Sequence, residues 1–391
     1  PSCTGCTISL FRLCNVWLQN NFKKVDMTRE NLVVLIMAGG SGERFWPLST
    51  KERPKQLLRL ADPHKSLIQM TVERVSPMVP LTNIFVATNS VQAPAVKEEL
   101  PDLPAGNIII EPAFKDTAAA IGFASIVIER EIPGSTMIVL ASDHLIKDND
   151  NFRSVLAKGV SCAQEQEAIV TLGIKPSYPE TGYGYLETPA GTVSALDNLS
   201  GENVAEPAKV LRFCEKPPLE QAVQYVEGGR HLWNSGMFIF RIDVMMDAFA
   251  RLLPAHYQTL QQIASLGDAM RDPLDKRLNE LFNTFQKISI DFGIMEKFES
   301  TMVVPSDFGW NDIGSYPALA DVFPGNENHT VAKGTKVTEV DSSNNIVIST
   351  TGKPISILGI HDAIIVETPD NILVCSKHEA QNIKKLLASL G

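Results

Sequence analysis

An α/β fold with a doubly wound sheet and a smaller C-terminal β domain is predicted by three observations. From residue 32 onward, short apolar strands alternate with helical stretches, the order that builds a parallel sheet covered on both faces. Glycines and acidic residues gather where those strands end, and open α/β sheets hold ligands at the carboxyl ends of their strands. Beyond residue 325 the pattern changes to short β segments cut by Gly, Asp and Pro turns.

Leu32–Met37 is short and continuously apolar, as a buried strand should be. Ser66–Val75 reads as a helix with a serine N-cap and with Glu73 and Arg74 on its wet face. Asn83–Thr88 is a second strand and Ala93–Leu100 a helix. Asn107–Ile110 is a third strand, ending at Glu111-Pro112. Thr117–Glu131 is a long alanine-rich helix that Thr117 can cap. Met137–Ala141 is a fourth strand, ending at Ser142-Asp143-His144. Ala168–Ile174 and Lys209–Glu215 read as further strands, Leu219–Val226 as a helix, and residues 242–285 as helical. A break falls near Phe323-Pro324-Gly325-Asn326. Asn345–Ser349, Ile355–Ile360, Ala363–Glu367 and Ile372–Cys375 follow as short β segments, and Ala380–Leu390 as a closing helix.

Composition narrows the function classes. A chain of 391 residues has room for one large domain and a smaller one. The net charge of -10 argues against a nucleic-acid binder, whose footprint would be basic. No apolar run approaches the roughly 20 residues of a membrane helix, so no membrane partner is expected. Cys3 and Cys6 form a C-x-x-C, but no second pair or nearby histidine completes a zinc site. Free thiols in a cytoplasmic protein fit Cys3, Cys6, Cys14, Cys162, Cys214 and Cys375. Residues 1–30 look like an appended or variable leader, with Met27 just before the first strand.

The richest segment is Leu35-Ile36-Met37-Ala38-Gly39-Gly40-Ser41-Gly42-Glu43-Arg44-Phe45-Trp46-Pro47, followed by Arg53-Pro54-Lys55-Gln56. A strand breaks into a glycine turn that delivers an arginine and then a lysine. Glycines let backbone N–H groups approach phosphate oxygens. Arg44 can grip a phosphate with two parallel hydrogen bonds, and Lys55 supplies a point charge. No Gly-Lys-Ser/Thr follows, so this is not a P-loop. Gly39, Gly40 and Gly42 do not make the dinucleotide fingerprint either.

This loop resembles the signature of the sugar-nucleotide pyrophosphorylases, and Phe45-Trp46-Pro47-Leu48-Ser49 with Arg53-Pro54-Lys55-Gln56 resembles their mannose-1-phosphate guanylyltransferase branch. The resemblance covers roughly residues 32–391. It implies a doubly wound mixed-sheet, Rossmann-like nucleotidyltransferase domain over 31–325 and a short β-helix-like domain over 326–391. It also implies transfer of GMP from GTP to mannose 1-phosphate with Mg²⁺, in a cytoplasmic homo-oligomer, a dimer. Arg44 and Lys55 would be catalytic. Ala38, Gly39, Gly40, Ser41, Gly42 and Glu43, with Pro112, Thr117 and Ala118, would hold the nucleotide. Backbone carbonyls near Pro112 and Ala118, with an N–H of the Ala38-Gly39 turn, could read the guanine edge. Asp143 and Asp312, the latter in Phe308-Gly309-Trp310-Asn311-Asp312, match metal-binding aspartates. Mg²⁺ suits two hard-oxygen ligands plus substrate phosphates; strand-end and turn aspartates are the plainer alternative. His144 is expected to be structural.

For the sugar, Glu180-Thr181-Gly182-Tyr183-Gly184-Tyr185 and Phe213-Cys214-Glu215-Lys216-Pro217 resemble family motifs, as does Trp233-Asn234-Ser235-Gly236. They imply Tyr183, Gly184, Glu215, Lys216 and Asn234 as sugar-phosphate ligands. Taken alone, Glu215-Lys216 would more often be a surface ion pair. Ser289-Ile290-Asp291-Phe292-Gly293-Ile294-Met295-Glu296-Lys297 is a further match; a structural role for Asp291 fits at least as well as a functional one. Three alternatives stay open: the same chemistry on another sugar or base, a bifunctional enzyme that also isomerises mannose 6-phosphate, and a silent regulatory subunit that binds GDP-mannose. His329, His361 and His378 are scattered and form no isomerase metal cluster. The retained Arg44, Lys55, Asp143 and Asp312 speak against the silent subunit.

Overall fold

The computed structural model describes residues 31–40, 42–198 and 204–390. The expectations for Ser41 and for a leader over 1–30 lie outside these residues. Strands are β1 Leu32–Met37, β2 Ile84–Asn89, β3 Ile108–Glu111, β4 Thr136–Ala141, β5 Leu145–Ile146, β6 Ile169–Ile174, β7 Gly184–Glu187, β8 Ala208–Lys209, β9 Arg212–Glu215, β10 His231–Arg241, β11 Thr301–Ser306 and β12 Trp310–Asn311. In the 10-stranded sheet the order is β3-β2-β1-β4-β10-β6-β11-β8, with β7 joining β10 to β9.

β3, β2, β1 and β4 run parallel. β10 enters antiparallel between β4 and β6, which makes the sheet mixed. One face packs Val33 and Leu35 against the helices Asp116–Glu131, Ile242–Leu252 and Pro254–Ala264. The other packs Leu32, Val34 and Ile36 against Leu67–Val75 and Asn149–Glu165. Burial on both faces is why β1 reads as an unbroken apolar run rather than an alternating one.

Most elements fall within a residue or two of expectation, with four corrections. Arg74 is buried rather than on a wet face; its Nε donates to Asn149 Oδ1 at 2.8 Å, and burial, then Arg153, lowers its pKa to about 10. Lys115, not Thr117, precedes the helix Asp116–Glu131. The stretch 242–285 is interrupted: the α-helices Ile242–Leu252 and Pro254–Ala264 break at Leu253, and residues 265–275, which hold one short 3₁₀ turn, separate the second from Lys276–Asn283. β10 is a strand that the sequence pattern does not announce, because Asn234-Ser235-Gly236 breaks its apolar run, its register shifts between Asn234 and Phe238, and Gly236 has φ 70°.

Beyond Phe323 the chain coils. β13 Val331–Lys333, β14 Val337–Val340, β15 Ile346–Ser349, β16 Ile355–Leu358, β17 Ala363–Glu367 and β18 Ile372–Ser376 form two small sheets. Val337 lies beside Ile355, and Ile346 beside Ile364, in parallel register. Asn345 pins successive turns: its Nδ2 donates to Ile360 O and its Oδ1 accepts from Ala363 N, both at 2.9 Å. The coil's core is continuous with the segment after β1, since Ile346, Ile364 and Val366 cluster with Phe45, Leu60 and Tyr316. The C-terminal coil therefore backs the segment that follows the glycine turn.

Candidate active site

The glycine turn leaves β1 at its carboxyl end. Ala38 is buried and fully engaged: its N–H donates to Ala87 O at 2.8 Å, and its carbonyl accepts from Gln56 Nε2 and Thr88 Oγ1. Any free N–H that reads a base from this turn is therefore not Ala38's. The Gly40 carbonyl accepts from Gln92 Nε2 at 3.0 Å. Gly42 has φ 61°, and a β-carbon there would lie 2.5 Å from the Lys55 backbone nitrogen. Only glycine lets the turn pass so close to the lysine. Glu43 and Arg44 then stand exposed, while Phe45 is buried against Tyr316, whose hydroxyl donates to Phe45 O at 2.8 Å. Arg44 forms no ion pair with the described residues.

Lys55 is buried, and its ammonium draws two distant segments together. It donates to Asp143 Oδ2 at 2.8 Å and to the Asp312 carbonyl. Burial alone would raise the Asp143 pKa; the Lys55 ammonium, then His144, outweighs it, and the carboxyl ends below its ordinary value. Asp312 Oδ1 accepts from the Tyr183 hydroxyl at 2.7 Å and from Gly314 N. The Asp143 carboxylate and the Asp312 backbone carbonyl thus meet around one cationic head, while the Asp312 carboxylate turns to Tyr183. Among the described residues no group of three or more His, Cys, Asp or Glu side chains is placed to hold a metal ion. His144 is pushed toward its neutral form by burial, and its Nδ1 accepts from Trp310 Nε1 at 3.1 Å. That bond suits the structural role expected of it.

Beside this junction lies a cavity of about 270 Å³. Tyr183, Gly184, Glu215, Asn234, Asp312 and Thr117 line it, joined by Asp291, His144 and Trp310. Gly184 is pressed against Glu215, whose Oε2 would lie 2.5 Å from an added β-carbon. Lys216 is paired with Glu215. The glycine turn, Arg44, Lys55, Asp143, Pro112, Ala118 and Lys216 are not in the lining; Lys55 and its aspartates connect the turn to the cavity.

On the nucleotide side, Glu111 ends β3 facing Gly39, with 3.8 Å between its Oε1 and an ideal Gly39 β-carbon. Burial pushes its carboxyl up to about 8. Pro112 follows, half-buried. Thr117 is not a cap: its hydroxyl accepts from Ile290 N at 2.8 Å, while Ala118 N donates to Ile288 O. Both residues hold the 288–291 segment. That segment carries Asp291, whose Oδ1 accepts from Asn234 Nδ2 at 3.1 Å. Burial, and behind it the Glu215 carboxylate, push Asp291 up to about 7. The motif around Asp291 is visible in the sequence, but its place in the cavity is not; Gln56 ends the Arg53-Pro54-Lys55-Gln56 run without an assigned role, and Gln92 carries no sequence signal.

Residues 33–329 match the family model described as Nucleotidyl transferase, and residues 335–390 match the MannoseP isomerase/GMP-like beta-helix domain. This chain belongs to the nucleotidyl transferase family. It is 35% identical over 368 residues to mannose-1-phosphate guanylyltransferase 2 of Escherichia coli O157:H7, covering 93% of this chain and 74% of that protein. It is 34% identical to the xanthan biosynthesis protein XanB of Xanthomonas campestris pv. campestris (strain B100), covering 92% and 73%. A solved structure named mannose-1-phosphate geranyltransferase, from Thermus thermophilus, superposes with a TM-score of 0.79 at 30% identity, covering 92% of this chain and 99% of that one. The expected mixed-sheet fold with a β-helical C-terminal part is the one this nucleotidyl transferase adopts. Among the described residues no helix is long and apolar enough to cross a membrane, and Cys162, Cys214 and Cys375 are free thiols.

Proposed function

We propose that this nucleotidyl transferase moves GMP from GTP to mannose 1-phosphate, giving GDP-mannose and pyrophosphate, with Mg²⁺ as cofactor. The observation that carries it is that Lys55 joins Asp143 to Asp312, and Asp312 in turn lines a cavity shared with Glu215 and Asn234. Phosphate chemistry and a hydroxyl-binding pocket then adjoin. The relatives named for mannose-1-phosphate guanylyl transfer support the choice of sugar and base.

The reaction is an in-line displacement. A phosphate oxygen of the sugar attacks the α-phosphorus of GTP, a new P–O bond forms, and the bond to pyrophosphate breaks. The nucleophile is already anionic near neutral pH, so no general base is needed, and a neutral His144 is consistent with that. Catalysis is then positioning and charge stabilisation. Exposed Arg44 holds the β- and γ-phosphates. Lys55 meets charge that builds at the α-phosphorus, and Lys216 aligns the attacking phosphate. Asp143 and Asp312 would hold Mg²⁺, which would supply positive charge against the phosphates when bound.

The test is pyrophosphate release from a grid of GTP, UTP, ATP or dTTP with mannose or glucose 1-phosphate, with Mg²⁺ or chelator. Release confined to GTP with mannose 1-phosphate, and abolished by chelator, is expected. Release with another pair would move the substrate. Binding of GDP-mannose with no release from any pair would make the chain a regulatory subunit instead.

A further inference from the structure

Asn234 is more committed than a sugar ligand should be. Its Oδ1 already accepts from Gly236 N at 3.3 Å and lies 2.9 Å from the Thr171 hydroxyl, whose one hydrogen it shares with Met237 O at 3.0 Å. Its Nδ2 donates to Asp291 Oδ1. Only one amide hydrogen is left to offer a ligand. Asp291 lines the cavity, and its carboxyl accepts from the Asn234 amide and from its own backbone N–H; a carboxylate has about four acceptor positions, so capacity for a ligand hydroxyl remains. Its backbone is held on both sides: Ile290 N donates to Thr117 Oγ1, and Glu296 N donates to Asp291 O at 3.0 Å. The residue also opens a single π-helical turn, Asp291–Met295, a local form that recurs at functional sites.

The arrangement is a chain. Thr171, fully buried, sets the Asn234 amide; Asn234 sets the Asp291 carboxyl; and that carboxyl, with acceptor capacity to spare, lines the cavity beside Glu215. We infer that Asp291 is a specificity-determining residue that hydrogen-bonds a ring hydroxyl of the sugar, with Asn234 and Thr171 as its positioning residues. The inference rests on the sugar 1-phosphate reading above and adds the residue that discriminates within it. A polar group built to meet a substrate hydroxyl rejects an analogue that lacks it, because the group is then left unpaired.

The experiment compares wild type, Asp291→Ala and Asp291→Asn against mannose 1-phosphate and its 2-, 3-, 4- and 6-deoxy analogues, with thermal unfolding as a folding check. Asp291→Ala is expected to lower kcat/KM for mannose 1-phosphate by roughly tenfold to a hundredfold, since hydrogen bonds to charged groups are worth about that much. Against one deoxy analogue the same change should cost less than about threefold, and KM for the nucleotide should hold. Asp291→Asn keeps the shape and one acceptor, so it should fall between the two and stay folded if Asp291→Ala does not. An equal loss against every deoxy analogue, in both variants, would make Asp291 purely structural and overturn the inference. A wild type inactive on every sugar 1-phosphate would overturn the parent reading with it, whereas normal wild-type turnover with an equal loss would sink only this one.

Discussion

Gly42→Ala tests whether the glycine turn exists to place Lys55. Gly42 has φ 61°, and a left-handed backbone costs an L-residue about 1–2 kcal/mol. The added β-carbon would meet the Lys55 backbone nitrogen at 2.5 Å, against 3.4 Å for ordinary contact, so one side must move by 3.4 − 2.5 = 0.9 Å. The obstacle is backbone, and no side-chain rotation relieves it. Overpacking of this kind adds about 1–3 kcal/mol. The turn or the lysine has to shift, and a displacement of about 1 Å in a catalytic site can cost about a hundredfold. Expected are a kcat/KM for pyrophosphate release lower by roughly that factor and a lower thermal midpoint. Gly106→Ala is the control: nothing lies within 4 Å of its β-carbon position, its φ is not positive, and it should change neither. A Gly42→Ala enzyme within about threefold of wild type would refute the claim that this close approach positions Lys55.

Three further outcomes follow from the same geometry. Lys55→Met should lower kcat by about a hundredfold or more, as loss of a transition-state donor typically does; turnover within about tenfold of wild type would remove Lys55 from the mechanism. Glu111 keeps its proton up to about pH 8 in the folded chain but only to its ordinary value of 4.5 when unfolded. The native state binds more protons between those values, so stability falls as pH rises through that window. Glu111→Gln should flatten the decline, read as thermal midpoint against pH, but not abolish it, because Glu129 and Asp291 are raised in the same direction. Tyr316→Phe removes the donor to Phe45 O, yet Ser49 N still serves that carbonyl at 2.9 Å. A loss of only about 1 kcal/mol is therefore expected in denaturant unfolding.

Much of the fold was legible because its signals are local. β1 to β4 announce themselves as apolar runs, with glycine or acidic residues at the ends of β1, β3 and β4, and a parallel strand buried on both faces has no other way to read. β10 was not legible, since its burial comes from lying between β4 and β6 and not from its own pattern. Arg74 and Thr117 were misplaced for a related reason. Helical periodicity sees one face at a time, while Arg74 is covered by the helix Asn149–Glu165 and Thr117 is claimed by Ile290.

By itself the sequence determined the chemistry on offer: a glycine turn that can approach phosphate, an arginine and a lysine after it, and aspartates at a strand end and a turn. Residue type and short spacing carry that information. Only the tertiary structure decided which of these groups share a site. Lys55 reaches Asp143 across 88 residues and Asp312 across 257, and Asn234 reaches Asp291 across 57. Such pairs are set by the order of strands in the sheet and by the register of β10 within it. Local propensity is blind to both, because neither depends on neighbours in the chain.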